Sequence, residues 1–199
     1  MNIDLEDWFG GKGEEFLRSI GIKEDDIVLD VGCGGGSYSI PAAKVVGKRG
    51  LVYAVDKNKE ALNSLLRRAE AEGADNIVIV NTIFPDGGAF FENSDIDLSN
   101  ESVDFVLLYD ILHYMTAEER AKLYEKLFGL LKNGGIMSIY PKHSKQDEPL
   151  WNLAGLNLKD VANEVEKRHF TLERETRTRL IHDERFDQGN ILNFKKTYK

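Results

Sequence analysis

Apolar residues in this chain come in two alternating arrangements. Short unbroken runs, Ile27-Val28-Leu29-Asp30-Val31, Leu51-Val52-Tyr53-Ala54-Val55, Ile77-Val78-Ile79-Val80, residues 103–109 and Ile136-Met137-Ser138-Ile139-Tyr140, have the length and branched character of buried strands. Between them, apolar positions recur at helical spacing over residues 13–20 (Phe16, Leu17, Ile20), 37–46, 59–72 (Ala61, Leu62, Leu65, Leu66, Ala69), 117–131 and 158–169 (Val161, Ala162, Val165). Gly21, Gly73 and Asn133-Gly134-Gly135 supply helix stops. Pro41 is compatible with the second helix only in its first turn, so that helix must begin directly after the glycines before it.

Strands that alternate with helices pair in parallel, because parallel neighbours need crossovers, and their carboxyl ends then form the ligand-binding edge. The pattern changes near the end. Residues 171–181 and 190–197 are extended runs joined by Asp187-Gln188-Gly189, which predicts a closing hairpin and an antiparallel finish. About twenty Gly, Asn, Asp and Ser-rich residues separate the third and fourth strands, long for a connection; a short helix around Ala89-Phe90-Phe91, or a wall of the site, is expected there.

At 199 residues the chain fits one domain, with residues 1–24 as a helical cap or lid and 25–199 as the core. Its 42% hydrophobic and 30% charged composition is that of a folded globular protein. The net charge of −8 works against nucleic-acid binding, and the only basic cluster, Lys195, Lys196 and Lys199, reads as a solvated end. A single cysteine, Cys33, excludes an internal disulfide and a zinc site of paired cysteines, and no metal site is expected. The acidic start lacks a signal-peptide pattern, and no apolar run approaches the ~20 residues of a membrane span. A cytoplasmic monomer or homodimer is the expectation.

The chemistry concentrates where the first strand meets its helix. Asp30-Val31-Gly32-Cys33-Gly34-Gly35-Gly36 lets the backbone turn sharply and approach a ligand without Cβ interference. A dinucleotide fingerprint would read G-x-G-x-x-G or A, but Ser37 stands at the last position. A second acid, Asp56, ends the next strand 24 residues after Gly32, where a carboxylate can accept both hydroxyl protons of a ribose.

Val28-Leu29-Asp30-Val31-Gly32-Cys33-Gly34-Gly35-Gly36 resembles the first motif of class I S-adenosylmethionine-dependent methyltransferases of the small-molecule type. Val52-Tyr53-Ala54-Val55-Asp56, residues 103–114 and Leu130-Leu131-Lys132-Asn133-Gly134-Gly135-Ile136 are similar to further segments of that family, in order, so the resemblance covers roughly residues 10 to 197. It implies a Rossmann-like doubly wound α/β sheet of seven strands in the order 3-2-1-4-5-7-6, and S-adenosylmethionine as cofactor. Asp30 and the Gly32, Cys33, Gly34 and Gly36 backbone would then hold the methionine end, Asp56 the ribose, and Lys57 the adenine face. Thr82 would touch the adenine amine, with Asp95 as its rival, and Tyr109 and Asp110 would line the methionine side.

The implied activity is methyl transfer to a small organic acceptor; the alternative is a non-catalytic S-adenosylmethionine-binding sensor or partner subunit. Asp110-Ile111-Leu112-His113 replaces the Asn or Asp followed by Pro-Pro of the family's base- and glutamine-directed members, and one cysteine is too few for its arsenic-handling members. Tyr109, Tyr114, Tyr124 and Tyr140 have no lysine four residues on, which disfavours the short-chain dehydrogenase arrangement, although Tyr53 is followed by Lys57 at that spacing. His113, just past the fourth strand, is the expected base or substrate-positioning residue. His143 follows the fifth strand on the ligand side and is weighed as a substrate contact or a solvated loop residue, while His169 and His182 receive no role. Trp8 and Phe9 are expected to close over the substrate as a lid, with a local hydrophobic contact or a dimer patch as the alternatives.

Overall fold

The computed structural model describes residues 3–81 and 98–197. Thr82, Asp95, Lys199 and the Ala89-Phe90-Phe91 segment lie outside the described residues.

Seven strands form one sheet: β1 (Ile27–Val31), β2 (Leu51–Asp56), β3 (Ile77–Asn81), β4 (Val103–Tyr109), β5 (Leu131–Tyr140), β6 (Phe170–His182) and β7 (Arg185–Lys196). Their order is β3-β2-β1-β4-β5-β7-β6. β1 to β5 run parallel, and β7 lies antiparallel to both β5 and β6. This is the doubly wound sheet with an antiparallel finish that the apolar runs implied.

The helices are α1 (Ile3–Asp7), α2 (Gly13–Ile20), α3 (Ser39–Val46), α4 (Lys59–Glu72), α5 (Ala117–Leu130) and α6 (Leu158–Glu166). Strand parity divides the core in two. Leu29, Val31, Val106 and Leu108 pack with Leu123 and Leu127 of α5 and Val161 and Val165 of α6. Val28, Phe105, Leu107 and Tyr109 face the other way, onto Phe16 and Leu17 of α2 and Val45 and Val46 of α3. Because successive side chains on a strand point to opposite faces, Asp30 shares its face with Val28 and is carried toward α3.

Helix ends follow local chemistry. The Asn58 side chain accepts from the Glu60 and Ala61 amides at the start of α4, and Gly73 closes that helix at φ 67°. Reciprocal capping boxes, Thr116 with Glu119 and Asn157 with Asp160, open α5 and α6.

Several boundaries differ from those the apolar pattern predicts. α3 starts at Ser39 rather than 37, two residues further from the glycine turn. α5 ends at Leu130, and β5 begins at Leu131 and runs through Asn133-Gly134-Gly135 instead of starting at Ile136. Leu131 pairs with Val103 and Ile136 with Phe105, so the glycines occupy an irregularity inside the strand, with Gly134 at φ 78°. α6 stops at Glu166, and His169 lies beyond it at φ 66°.

The closing hairpin turns at Asp183-Glu184, not at Asp187-Gln188-Gly189. Both turn residues have positive φ, 46° and 62°, the twist that two-residue hairpins favour. Gly189 is instead a paired strand residue opposite Thr178, and a Cβ there would stand 2.5 Å from a ring carbon of Tyr140. That glycine serves close packing rather than a turn.

Trp8 is a core residue, 1% exposed, packed in tilted and edge-on contacts among Phe16, Tyr38 and Phe186, and its indole N–H donates to the Ser37 carbonyl at 2.6 Å. It is therefore fixed in place, and the expected lid closure does not fall on it.

Candidate functional site

The glycine turn leaves β1 at Val31, and its shape is tied to β2. Gly32 and Cys33 both donate to the Val55 carbonyl, at 2.8 and 3.0 Å, and the Cys33 carbonyl accepts from Gly36 at 3.0 Å. Gly32, Gly34 and Gly36 all have positive φ, at 76°, 52° and 86°. Their surroundings differ. A Cβ on Gly32 would meet Ile111 at 2.2 Å and one on Gly36 would meet Leu65 at 2.6 Å, whereas nothing lies within 4 Å of a Cβ on Gly34 or Gly35. The middle of the turn thus shows bare backbone to open space, and its flanks are packed.

Asp56, at the end of β2, is joined directly to this turn. One carboxylate oxygen accepts from the Gly34 amide at 2.9 Å and the other from the Asn58 amide at 2.8 Å. Gly32, Asp56, Lys57 and Asn58 on one side and Asp110, Ile111, Tyr114 and Met115 on the other enclose a cavity of about 330 Å³, at the lower end of small-molecule sites. The Lys57 ammonium stands 5.6 Å from the centre of the Tyr114 ring, across that cavity.

The other expected residues are placed by strand parity. Asp30 is 2% exposed beneath the turn, where its carboxylate accepts the Ser39 hydroxyl. Burial pushes its pKa up to about 7, with a further rise from the nearby Asp56 charge and a partial offset from the Ser39 bond. Cys33 is buried, and burial together with the Asp30 and Asp56 charges drives its thiol far up, so it is not a nucleophile. Tyr109 points into an aromatic cluster with Tyr38, Phe16 and Tyr140, its hydroxyl bonded to Ser138 at 2.8 Å. It supports the site from behind and is absent from the cavity lining.

Asp110 and His113 do come together, in the tight segment that follows β4. Asp110 has φ 55°, a left-handed conformation that acids adopt more readily than most residues. His113 lies in the 3₁₀ turn Leu112–Tyr114 and is 2% exposed; burial lowers its pKa, and the Asp110 charge only partly offsets this. Its ring sits 4.0 Å from the Tyr114 ring and 5.4 Å from Trp151, two aromatics that are 58% and 60% exposed.

Two further histidines meet here, His143, weighed above as a substrate contact, and His182, which the sequence pattern left without a role. His143, after β5, and His182, at the hairpin tip, both reach Asp110: His143 Nε2 lies 3.6 Å from Asp110 Oδ1, and His182 Nε2 bonds Asp110 Oδ2 at 3.0 Å. That bond raises the pKa of His182 against the effect of burial. The position of His143 at a parallel strand's carboxyl end was a usable signal. His182 was not legible while the hairpin turn was placed four residues too late.

A seven-stranded sheet in this order, with a glycine turn and a strand-end acid on its carboxyl edge, defines a class I methyltransferase-type domain. A family model described as a methyltransferase domain matches residues 28–135, over half of the chain, and the chain belongs to that family. Among curated relatives, it is 45% identical over 65 residues to a probable cobalt-precorrin-6B C(15)-methyltransferase of Saccharolobus solfataricus, a match that covers 32% of this chain and 33% of that protein. A Pyrobaculum calidifontis protein of the same description is 41% identical over 71 residues, 35% of this chain and 36% of its own. The chain thus spans about a third of the length of these relatives. The fold matches a SAM-dependent methyltransferase structure from Aquifex aeolicus with TM-score 0.71 and 22% identity, covering 93% of this chain and 89% of that one. It also matches magnesium protoporphyrin IX methyltransferase from Synechocystis with bound SAM, at TM-score 0.65 and 19% identity, covering 98% and 81%. No helix among the described residues is long and apolar enough to cross a membrane.

Proposed function

We propose that this chain transfers a methyl group from S-adenosylmethionine to a small organic acceptor. The observation that carries the reading is the Asp56 carboxylate beside the open Gly34 and Gly35 backbone. A carboxylate offers about four acceptor positions. The Gly34 and Asn58 amides take one on each oxygen, which leaves each oxygen able to receive one hydroxyl proton of a ribose.

On this reading Asp56 holds the ribose, and Lys57 with Tyr114 covers the adenine. The Gly32, Cys33, Gly34 and Gly36 backbone follows the methionine portion, with Asp30 and Tyr109 bracing that wall from inside the sheet. Thr82 keeps its proposed adenine contact, outside the described residues. The bound cofactor supplies a methyl group already activated on a sulfonium, so the chain's task is to align an acceptor and exclude water.

Asp110 and His113 face the acceptor side. His113, held neutral by burial, can take a proton from the acceptor or position it. The exposed Tyr114 and Trp151 rings, 5.0 Å apart, provide an apolar surface for a flat acceptor. The acceptor class is read from these side chains, because the matches to the probable cobalt-precorrin enzymes cover only about a third of each.

Calorimetry with S-adenosylmethionine against NAD, repeated on Asp56→Ala, tests the cofactor, and release of S-adenosylhomocysteine from metabolite mixtures tests turnover. Tight NAD binding, or unaltered S-adenosylmethionine binding by the variant, would overturn the reading. Saturable binding without turnover on any acceptor would make the chain a binding protein instead.

A further inference from the structure

We propose that Asp110, His113 and His143 form a binding site for a divalent first-row transition cation, of the Zn²⁺ class, in the wall of the pocket. Pattern reading expected no metal here. The three residues lie on separate pieces of chain, after β4, in the following 3₁₀ turn and after β5, and their ligand atoms all fall within 4.8 Å of one another.

The distances suit a shared ion better than direct bonds. Asp110 Oδ1 is 3.5 Å from His113 Nδ1 and 3.6 Å from His143 Nε2, at or beyond the limit of a good hydrogen bond. Around one tetrahedral ion with bonds near 2.1 Å, ligand atoms stand about 3.4 Å apart. Asp110 Oδ1 already stands at that spacing, to within a few tenths of an ångström, from both imidazole nitrogens.

Two of the three ligand atoms lack any other occupation. Asp110 Oδ1 and His113 Nδ1 are both buried without a hydrogen-bond partner, a condition that native proteins rarely leave uncompensated. The third is oriented for the same purpose. His143 Nδ1 lies 2.8 Å from the Glu148 carbonyl oxygen, a bond that only a protonated Nδ1 can donate, so the neutral ring keeps its lone pair on Nε2. That lone pair and the Asp110 carboxylate then face each other, and a cation between them resolves the repulsion.

The surrounding residues complete the arrangement as second partners usually do. His182 bonds the remaining Asp110 oxygen at 3.0 Å and fixes the carboxylate plane. Two imidazoles and one carboxylate favour zinc, iron, cobalt or nickel over magnesium or calcium, which prefer oxygen. Three protein ligands are also the number that leaves a coordination position for water or substrate. Asp110 lines the pocket as well, so the cation and the acceptor would share one wall, and a liganded His113 would position the acceptor rather than take its proton. The site does not depend on the methyl-transfer reading.

The test uses the full chain, stripped with chelator and titrated with ZnCl₂ by calorimetry, with MgCl₂ as the contrast and CoCl₂ for its visible spectrum. One equivalent of Zn²⁺, no response to Mg²⁺ and a nitrogen-ligated Co²⁺ spectrum are expected. His143→Ala and Asp110→Asn should each lower Zn²⁺ affinity about tenfold or more, and His182→Ala by a similar factor at least at the low end. His143 lies on a loop, so its variant keeps the test available should His113→Ala fail to fold; circular dichroism checks this. No stoichiometric uptake by the parent chain, or equal affinity in the folded His143→Ala and Asp110→Asn variants, would overturn the proposal. S-adenosylmethionine titrated into the parent chain reads the other proposal separately: Zn²⁺ uptake without cofactor binding would sustain this site while removing the methyl-transfer reading.

Discussion

The Asp56 carboxylate accepts the Gly34 amide at 2.9 Å, binding the end of β2 to the most open point of the glycine turn. One side chain therefore shapes the turn and presents acceptor positions to whatever enters the cavity. Asp56→Ala should weaken S-adenosylmethionine binding by about 10- to 100-fold for each ribose hydroxyl bond lost, since a hydrogen bond to a charged group contributes about 1.5–3 kcal/mol. Asp56→Asn, which keeps an oxygen for one of the two amides, should fall between; calorimetry on the three proteins checks the order.

The glycines of the turn should separate by readout. Gly36→Ala places a methyl 2.6 Å from Leu65 at φ 86° and should destabilise the fold by about 1–3 kcal/mol in urea titration. Gly34→Ala meets open space, so beyond about 1 kcal/mol of backbone strain it should spare stability and weaken cofactor binding instead. Equal loss of stability in both would contradict the assignment of Gly34 to the ligand face.

Asp30 should make stability depend on pH. Its folded pKa of about 7 lies above the ordinary carboxylate value, so between pH 4 and 7 the folded chain holds more protons than the unfolded one. Stability from this group is greatest at the acid end and is lost as pH rises, by on the order of 4 kcal/mol in all. Relative to the parent, Asp30→Asn should gain stability as pH rises from 4.5 to 7.5; a constant difference across that range would refute the burial effect.

Trp8→Ala should cost about 3–5 kcal/mol, as for other deletions of a buried large aromatic, because it empties a position shared with Phe16, Tyr38 and Phe186 and removes the bond to Ser37. An unfolding midpoint equal to the parent's, with only KM altered, would restore the lid role.

With an acceptor in hand, His113→Asn should lower turnover by about 100-fold or more if the ring acts in proton transfer. An unchanged rate at every pH would remove His113 from the reaction. Zn²⁺-dependent turnover would assign it to positioning instead.

Much of this was readable in order along the chain. The five parallel strands, their helices, the glycine turn and Asp56 are local features: a buried strand is an unbroken apolar run, and a turn that nears a ligand needs residues without Cβ. The errors have local causes too. Asn133-Gly134-Gly135 and Asp187-Gln188-Gly189 carry the composition of a stop and a turn, but the first lies in a bulged strand and the second beneath the Tyr140 ring.

Side-chain direction and long-range meeting were not readable. Asp30 stands just before the glycine turn and Tyr109 just before Asp110, yet pleating sends both into the core, toward Ser39 and Ser138. His113, His143 and His182 are separated by 30 and 39 positions and share no spacing rule; β4, β5 and the β6–β7 hairpin bring them to one carboxylate. Sequence alone determined the class of fold and the acid beside the glycine turn, because both follow from periodicity and backbone freedom within a few residues. Only the tertiary structure decided which polar groups meet around Asp110, because sheet order and register set that distance and neither is written in local pattern.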